Sequence, residues 1–286
     1  MSENERKISP AYYGLVLFLA FQLFTPQAYL PILDKVKAHY LIFIVTFILA
    51  MFGGLSYTKS KQTFLLLVIF AITLLSILVA PFSNQGNWKE RLIEFVQSIA
   101  MYLLVTMTLR SGKEMRRFIY TIIVLFFTMG IVSLITFRLG IPPIVGEIKY
   151  FGWGRLTNFF GVFGSDANFF GSSFILVFPL SVFIIQKTDS KFIKVFLLFV
   201  SFVFLLCILE TKSRGALIGL LAVILLLVWE NRKRKRFLIS VILIVILAAI
   251  SVGPKFWERA HALRSIEAAQ EEGTASLRLR QYGYAF

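Results

Sequence analysis

The chain of 286 residues is 58% apolar or aromatic and 16% charged, whereas an ordinary soluble domain is about 45–50% apolar and about 25% charged. This composition excludes most soluble enzymes. The formal net charge of +15 is compatible with nucleic-acid binding or with a membrane protein that has basic loops, and the positions of the charges decide between them. One cysteine, Cys207, excludes an intrachain disulfide. Because His39 and His261 are the only histidines, a metal site with three or four converging ligands is not expected.

Apolar runs of about 20 residues follow one another along the chain, and each is long enough to cross the ~30 Å hydrocarbon core of a bilayer. Backbone polar groups must be paired in hydrocarbon, and barrel strands would be shorter and alternating, so these runs are predicted to be helices. The predicted fold class is all-α, a polytopic integral membrane protein. We expect about nine spans, at residues 11–33, 38–56, 63–82, 91–109, 117–138, 168–186, 192–210, 214–230 and 237–253.

The basic residues predict the orientation, because lysine and arginine are retained in cytoplasmic loops. Loops on the N-terminal side hold 16 of the 30 basic residues, including the run 232–236, and the opposite loops hold nine. We therefore predict a cytoplasmic N-terminus, a membrane bundle over residues 1–253 with a long external loop at 139–167, and the start of an external (periplasmic) loop at 254–286. Anionic lipid binding is an alternative explanation of the basic run. No nucleic-acid motif accompanies it, so no nucleic-acid partner is expected.

Three stretches on the predicted external side are rich in polar residues: the loop 139–167, the turn 210–216 and the tail 274–286. Each also has an ordinary structural explanation. Glycines and aromatic residues in the loop are typical of an interfacial belt, and Ser165 or Asp166 suits a helix N-cap. The second stretch is explained as a polar turn, and the third as an amphipathic surface helix.

Each of these stretches carries an arginine, namely Arg155, Arg214 and Arg278. Arginine is permanently charged and binds phosphate oxygens in a fork. Three guanidinium groups facing one external cavity suit the pyrophosphate of a lipid. Without metal ligands, they would take the role that Mg²⁺ fills in many phosphate enzymes.

Four short motifs contain these arginines or lie beside them. They are Arg155-x-x-Asn158, Gly164-x-Asp166-x-Asn168, Thr211-x-Ser213-Arg214-Gly215-Ala216 and Ser276-x-Arg278-x-x-x-Tyr282-x-x-Ala285. The combination resembles the O-antigen ligase and polymerase family of bacterial surface polysaccharide assembly. The resemblance runs from about the fourth predicted span to the end of the chain, and the Thr-x-Ser-Arg-Gly-Ala turn is its most specific element.

The resemblance implies a GT-C-like glycosyltransferase, multi-pass in the bacterial inner membrane. Such an enzyme takes a glycan from undecaprenyl pyrophosphate at the outer face and transfers it, without metal or cofactor, to a sugar hydroxyl on a glycan or lipid acceptor, as in lipopolysaccharide assembly. The implied pyrophosphate-binding residues are Arg155, Arg214 and Arg278. The implied supporting residues are Asn158, Asp166, Asn168 and Ser213.

The chain departs from the family pattern in one respect. Family members continue beyond the Ser-x-Arg motif into a large external loop with an essential histidine and then into further helices, whereas this sequence ends at Phe286. His261 does not match that histidine, so no catalytic residue is assigned. We expect the chain to be a fragment of a longer protein, with an inactive truncated family member as the alternative.

A rival function from another class is a transporter or flippase for a lipid-linked or anionic substrate. The same arginines would line its pathway, and Glu94 or Glu210 would belong to it, because intramembrane charges often mark such paths. The sequence shows no Gly- or Pro-broken helices in matching halves, which are the usual sign of alternating access. The transferase is therefore favoured.

Overall fold

The computed structural model describes residues 9–52, 61–79, 88–144, 154–160 and 166–231, together with residues 239, 243 and 246. Within these residues the regular secondary structure is helical, which confirms the all-α class. The helices are α1 (Pro10–Phe24), α2 (Pro31–Lys35), α3 (Ala38–Phe52), α4 (Lys61–Val79), α5 (Trp88–Thr108), α6 (Gly112–Arg138), α7 (Ala167–Lys187), α8 (Lys191–Glu210) and α9 (Arg214–Glu230). The chain divides into two compact units, residues 1–121 and 122–286.

Seven of the predicted spans, the second to the eighth, coincide with the single helices α3 to α9. The agreement is closest in the C-terminal unit, where the span predicted at 214–230 has the same bounds as α9. Of the ninth span, only Ile239, Leu243 and Ile246 lie among the described residues, and all three are helical. Among the described helices, α6, α7 and α8 are long and apolar enough to cross a membrane.

The first predicted span, 11–33, is wrong as a single helix. Helix α1 ends at Phe24, and Thr25 adopts a left-handed conformation with φ of 39°. Pro26 explains the break, because its ring disfavours helical geometry at the preceding residue. A short 3₁₀ helix at Pro26–Ala28 and the five-residue α2 follow. The prediction relied on the apolar composition of residues 11–33 and did not take account of Pro26, which ends the helix.

In the N-terminal unit, α1, α3 and α5 contact one another. The rings of Phe18 in α1 and Phe43 in α3 lie 5.3 Å apart. Arg110, just after α5, donates from Nε to the carbonyl of Met107 (2.7 Å) and from Nη2 to the carbonyl of Ala50 in α3 (3.3 Å). One guanidinium group therefore satisfies carbonyls near the ends of two helices, which have no partners within their own helices.

In the C-terminal unit, α7 packs against α8 and α9. Phe170, Phe174 and Phe178 are fully buried, and their spacing of four residues places them on one face of α7. The ring of Phe174 lies 5.4 Å from that of Phe204 in α8 and 5.5 Å from that of Phe126 in α6. These ring contacts hold the three helices together.

Small residues let these helices approach closely, as is common in membrane proteins. A Cβ at Gly130 of α6 would lie 3.0 Å from the Cys207 sulfur and 3.2 Å from the Phe174 ring. Between α7 and α8, the buried hydroxyls of Ser181 and Ser201 are 2.7 Å apart and hydrogen-bonded. Close packing and a polar contact therefore stabilise the unit together.

We predict that Gly130→Leu lowers the free energy of unfolding by about 1–3 kcal/mol, because the new side chain overpacks the contact of α6 with α7 and α8. Gly112→Leu, in the same helix, is the matched control, since a Cβ there meets nothing within 4 Å. Thermal unfolding of the detergent-solubilised protein measures both changes. Equal unfolding temperatures for the two variants would contradict this packing.

Candidate functional site

Helices α8 and α9 are joined by a turn of three residues, Thr211–Ser213, called here the α8–α9 turn. The Thr211 hydroxyl donates to the carbonyl of Ile208 (2.7 Å) and accepts from the Ser213 backbone N–H (3.3 Å). Ser213 caps α9, because its hydroxyl accepts from the backbone N–H of Ala216 (3.3 Å). Lys212 between them has a left-handed φ of 50°. The turn is therefore shaped largely by its own side chains.

Residues 154–158 of the predicted external loop, called here the docking segment, bind this turn. Arg155 is buried, and its Nε donates to the carbonyl of Thr211 (2.9 Å). The backbone N–H of Leu156 donates to the carbonyl of Glu210 (2.9 Å), and Lys212 Nζ donates to the carbonyl of Gly154. Gly154 itself has φ of 63°, a conformation that glycine adopts at little cost. The docking segment is thus held by hydrogen bonds to Thr211 and Lys212 of the turn and to Glu210, the last residue of α8.

Arg155 also connects the turn to α7, since its Nη2 donates to the side-chain oxygen of Asn168 (2.8 Å). The Asp166 carboxylate accepts from the Asn168 backbone N–H (2.8 Å), which confirms the N-cap interpretation of Asp166. Asn158 is buried, and its side-chain oxygen accepts from the backbone N–H of Phe160 (3.0 Å). Of the four residues predicted to support the site, Asn168 accepts from Arg155 itself. The side chains of the other three accept from backbone N–H groups, and these three are Asn158, Asp166 and Ser213.

An ion pair not predicted from the sequence joins Arg138, at the C-terminal end of α6, to Glu210, at the C-terminal end of α8. The Glu210 side chain is 6% exposed and that of Arg138 is 57% exposed. The available signal was Glu210 itself, an acidic residue that ends an apolar run. Its partner lies 72 residues away in sequence, and nothing local indicates the pairing.

The structure brings two of the three predicted arginines to the same turn and gives them different environments. Arg155 is 6% exposed and hydrogen-bonded to the turn, whereas Arg214 is exposed and is the first residue of α9. Arg278 lies outside the described residues. Arg138, Lys212 and Arg214, called here the basic rim, carry positive charge at the end of the unit where α6 and α8 finish and α9 begins.

Within the described ranges, no three side chains of His, Cys, Asp or Glu lie close enough to hold a metal ion together. Cys207, the single cysteine of the chain, is buried in α8. The groups that face outward at the α8–α9 turn are instead cationic, and the chemistry they suit is the binding of an anion.

The apolar helices define the class: this is a helical membrane protein. Residues 197–286, which include most of α8, the α8–α9 turn and Arg214, match the family model described as O-antigen ligase. The match confirms the predicted resemblance to the O-antigen ligase and polymerase family over residues 197–286, which contain the turn motif at 211–216 and the motif at 276–285. The motifs at 155–158 and 164–168 lie outside the matched residues. No curated protein and no solved structure matches the chain.

We predict that Arg155→Ala speeds amide hydrogen exchange in peptides covering residues 154–160. The variant removes two hydrogen bonds from a charged donor, each worth about 1.5–3 kcal/mol, so the docking segment should open more often. Mass spectrometry of the exchanged protein measures this opening. Lys191→Ala, which removes an exposed cation at the opposite end of α8, is the control and should leave exchange there unchanged. Equal exchange rates in both variants would show that Arg155 does not hold the segment.

Proposed function

We propose that the protein transfers a glycan from undecaprenyl pyrophosphate to a sugar hydroxyl of a glycan or lipid acceptor, at the outer face of the bacterial inner membrane. The match of residues 197–286 to the O-antigen ligase family model supports a ligase-type or polymerase-type role. The observation that carries the proposal is the exposed Arg214 at the start of α9, directly after a turn that the docking segment holds in place. A fixed cation at such a position suits a pyrophosphate.

The proposed setting is a multi-pass bundle of about nine membrane helices with a GT-C-like architecture and a cytoplasmic N-terminus. The end of the C-terminal unit that carries the α8–α9 turn then faces outward. The positive-inside pattern of the loops supports this orientation. It places the proposed site at the level of lipid head groups, where the pyrophosphate of a membrane-anchored donor lies.

The proposed reaction forms one bond and breaks one at the anomeric carbon of the donor sugar. The acceptor oxygen bonds to this carbon, and the bond from the carbon to the pyrophosphate oxygen breaks. Undecaprenyl pyrophosphate departs with the electron pair, and the acceptor hydroxyl gives up its proton to a base or to water. Negative charge grows on the departing pyrophosphate, so a fixed cation stabilises the transition state more than the ground state.

The arginines have separate parts in this proposal. Arg214 binds the pyrophosphate from an exposed position at the N-terminus of α9, where the helix dipole also favours an anion. A Cβ on its neighbour Gly215 would meet nothing within 4 Å, so the space beside the helix start is open to a ligand. Arg155, buried beside the turn, provides positive charge at close range and holds Thr211. Arg278 is proposed as a third pyrophosphate ligand on the family motif alone.

We predict that Arg214→Ala lowers the rate of glycan transfer by about 10²–10³-fold, the loss typical of removing one electrostatic donor to a developing anion. Arg214→Lys keeps the charge but loses the fork, so it should recover only part of the activity. Surface glycan from cells whose only copy of the gene is the variant, expressed from its complete reading frame, is the measurement.

Lys191→Ala is again the control, because Lys191 is exposed at the start of α8 and lies at the other end of the C-terminal unit. It should give wild-type glycan at an equal protein level in the membrane. Normal glycan output from Arg214→Ala would contradict the proposed function.

A further inference from the structure

The pair of Arg138 and Glu210 is unequal in its exposure. The Glu210 side chain is 6% exposed, whereas that of Arg138 is 57% exposed. A buried carboxylate needs a partner, because leaving it unpaired away from water is costly. An exposed arginine gains little from such a pair. Arg138 therefore provides the opposite charge that the buried Glu210 needs. Its own side chain stays largely exposed at the surface of the protein.

The contact with Glu210 uses few of the N–H donors of the Arg138 guanidinium group. A guanidinium group has five N–H donors in a planar fork, and the structure shows Arg138 Nη2 against one oxygen of Glu210. Within the described part of the chain, this is the contact that the structure gives to the Arg138 side chain. Donors are thus left for a second acceptor, while the ion pair limits where the group can move.

The pair belongs to the same framework as the proposed site. Glu210 directly precedes the α8–α9 turn, and its carbonyl accepts from the backbone N–H of Leu156 in the docking segment. Arg138 reaches this point from a different helix, α6. With Arg155, Lys212 and Arg214, four cationic side chains therefore gather around one turn. The Glu210 charge reduces their mutual repulsion before an anion binds, since opposite charges stabilise each other more strongly in a low-dielectric surrounding.

We propose that Arg138 is a further anion-binding residue of this site and contacts phosphate oxygens of the lipid-linked donor, with Glu210 as the positioning residue that holds its guanidinium group. This inference rests on the proposed function. The chemistry it names is a phosphate group on a lipid, and that group could belong to the pyrophosphate donor or to an anionic head group of the bulk membrane. The binding experiment is arranged to separate these two sources.

The probe is undecaprenyl pyrophosphate, titrated into the protein expressed from its complete reading frame and held in nanodiscs of phosphatidylcholine. Arg138→Gln should raise the Kd by about 10–100-fold, as expected for the loss of a charge-assisted hydrogen bond. Arg138→Lys should give an intermediate Kd, because it keeps the charge without the fork. Glu210→Gln keeps the cation and loses its anchor, so its Kd should rise by less than tenfold.

The double variant Arg138→Gln with Glu210→Gln separates binding from folding. It leaves no buried carboxylate unpaired, so it should recover the thermal stability that Arg138→Gln alone loses. If Arg138 binds the donor, the double variant keeps the weak affinity of Arg138→Gln. If the pair only stabilises the fold, the double variant regains wild-type affinity, and the proposal is overturned.

Two further arms complete the experiment. Nanodiscs that contain phosphatidylglycerol test the other source of phosphate: unchanged affinity for undecaprenyl pyrophosphate supports a donor site, whereas full competition shows a general head-group site and contradicts the proposal. Arg214→Ala is titrated in parallel. If Arg214→Ala binds weakly and the double variant binds normally, the role of Arg138 is contradicted while the proposed function still holds. Normal binding by Arg214→Ala would count against the proposed function itself.

Discussion

The hydrogen bonds of the Arg155 guanidinium group organise the end of the C-terminal unit. A buried arginine is costly unless its donors are paired, and here Nε binds the carbonyl of Thr211 and Nη2 binds the side chain of Asn168. The first bond fixes the docking segment to the α8–α9 turn, and the second connects it to the start of α7. The order of this end therefore depends on one side chain that contacts the α8–α9 turn, 56 residues away, and the start of α7, 13 residues away.

The electrostatic consequence is a concentration of positive charge around one turn. Four cationic side chains lie at or beside the α8–α9 turn: Arg138, Arg155, Lys212 and Arg214. The buried carboxylate of Glu210 forms an ion pair with one of them, Arg138. Such a surface is poorly suited to a neutral substrate and well suited to a phosphorylated one. Helices α6, α7 and α8 are apolar and long enough to lie in a bilayer. A lipid-anchored anion would reach the protein from the same bilayer.

A helix could be predicted from the sequence where one uninterrupted run of apolar residues forms one helix. The apolar runs that form α7 and α9 begin and end at polar residues. The N-cap residues of these helices, Asp166 and Ser213, belong to motifs that were recognised in the sequence. The prediction of one helix over 11–33 was wrong because the hydropathy of the run continues through Pro26, whose ring disfavours helical geometry at Thr25.

The candidate site was predictable in composition but not in geometry. The motifs drew attention to Arg155 and Arg214, and the structure places both at the α8–α9 turn. The family match over residues 197–286 includes the turn motif, while the anion-binding role of these arginines stays a prediction. The burial of Arg155 and the pairing of Arg138 with Glu210 depend on contacts 56 and 72 residues apart. Neither contact leaves a periodic signal in the sequence, because each joins elements that meet only after the helices have packed.

Reconstituted transfer tests the central claim most directly. The protein, expressed from its complete reading frame and purified, is placed in liposomes with the lipid-linked glycan extracted from cells that lack the gene, together with an acceptor and a metal chelator. The account predicts a covalent glycan–acceptor product, detected by mass spectrometry, and release of one undecaprenyl pyrophosphate for each glycan transferred. Movement of the donor across the bilayer without any such product would contradict it and would identify a transporter instead.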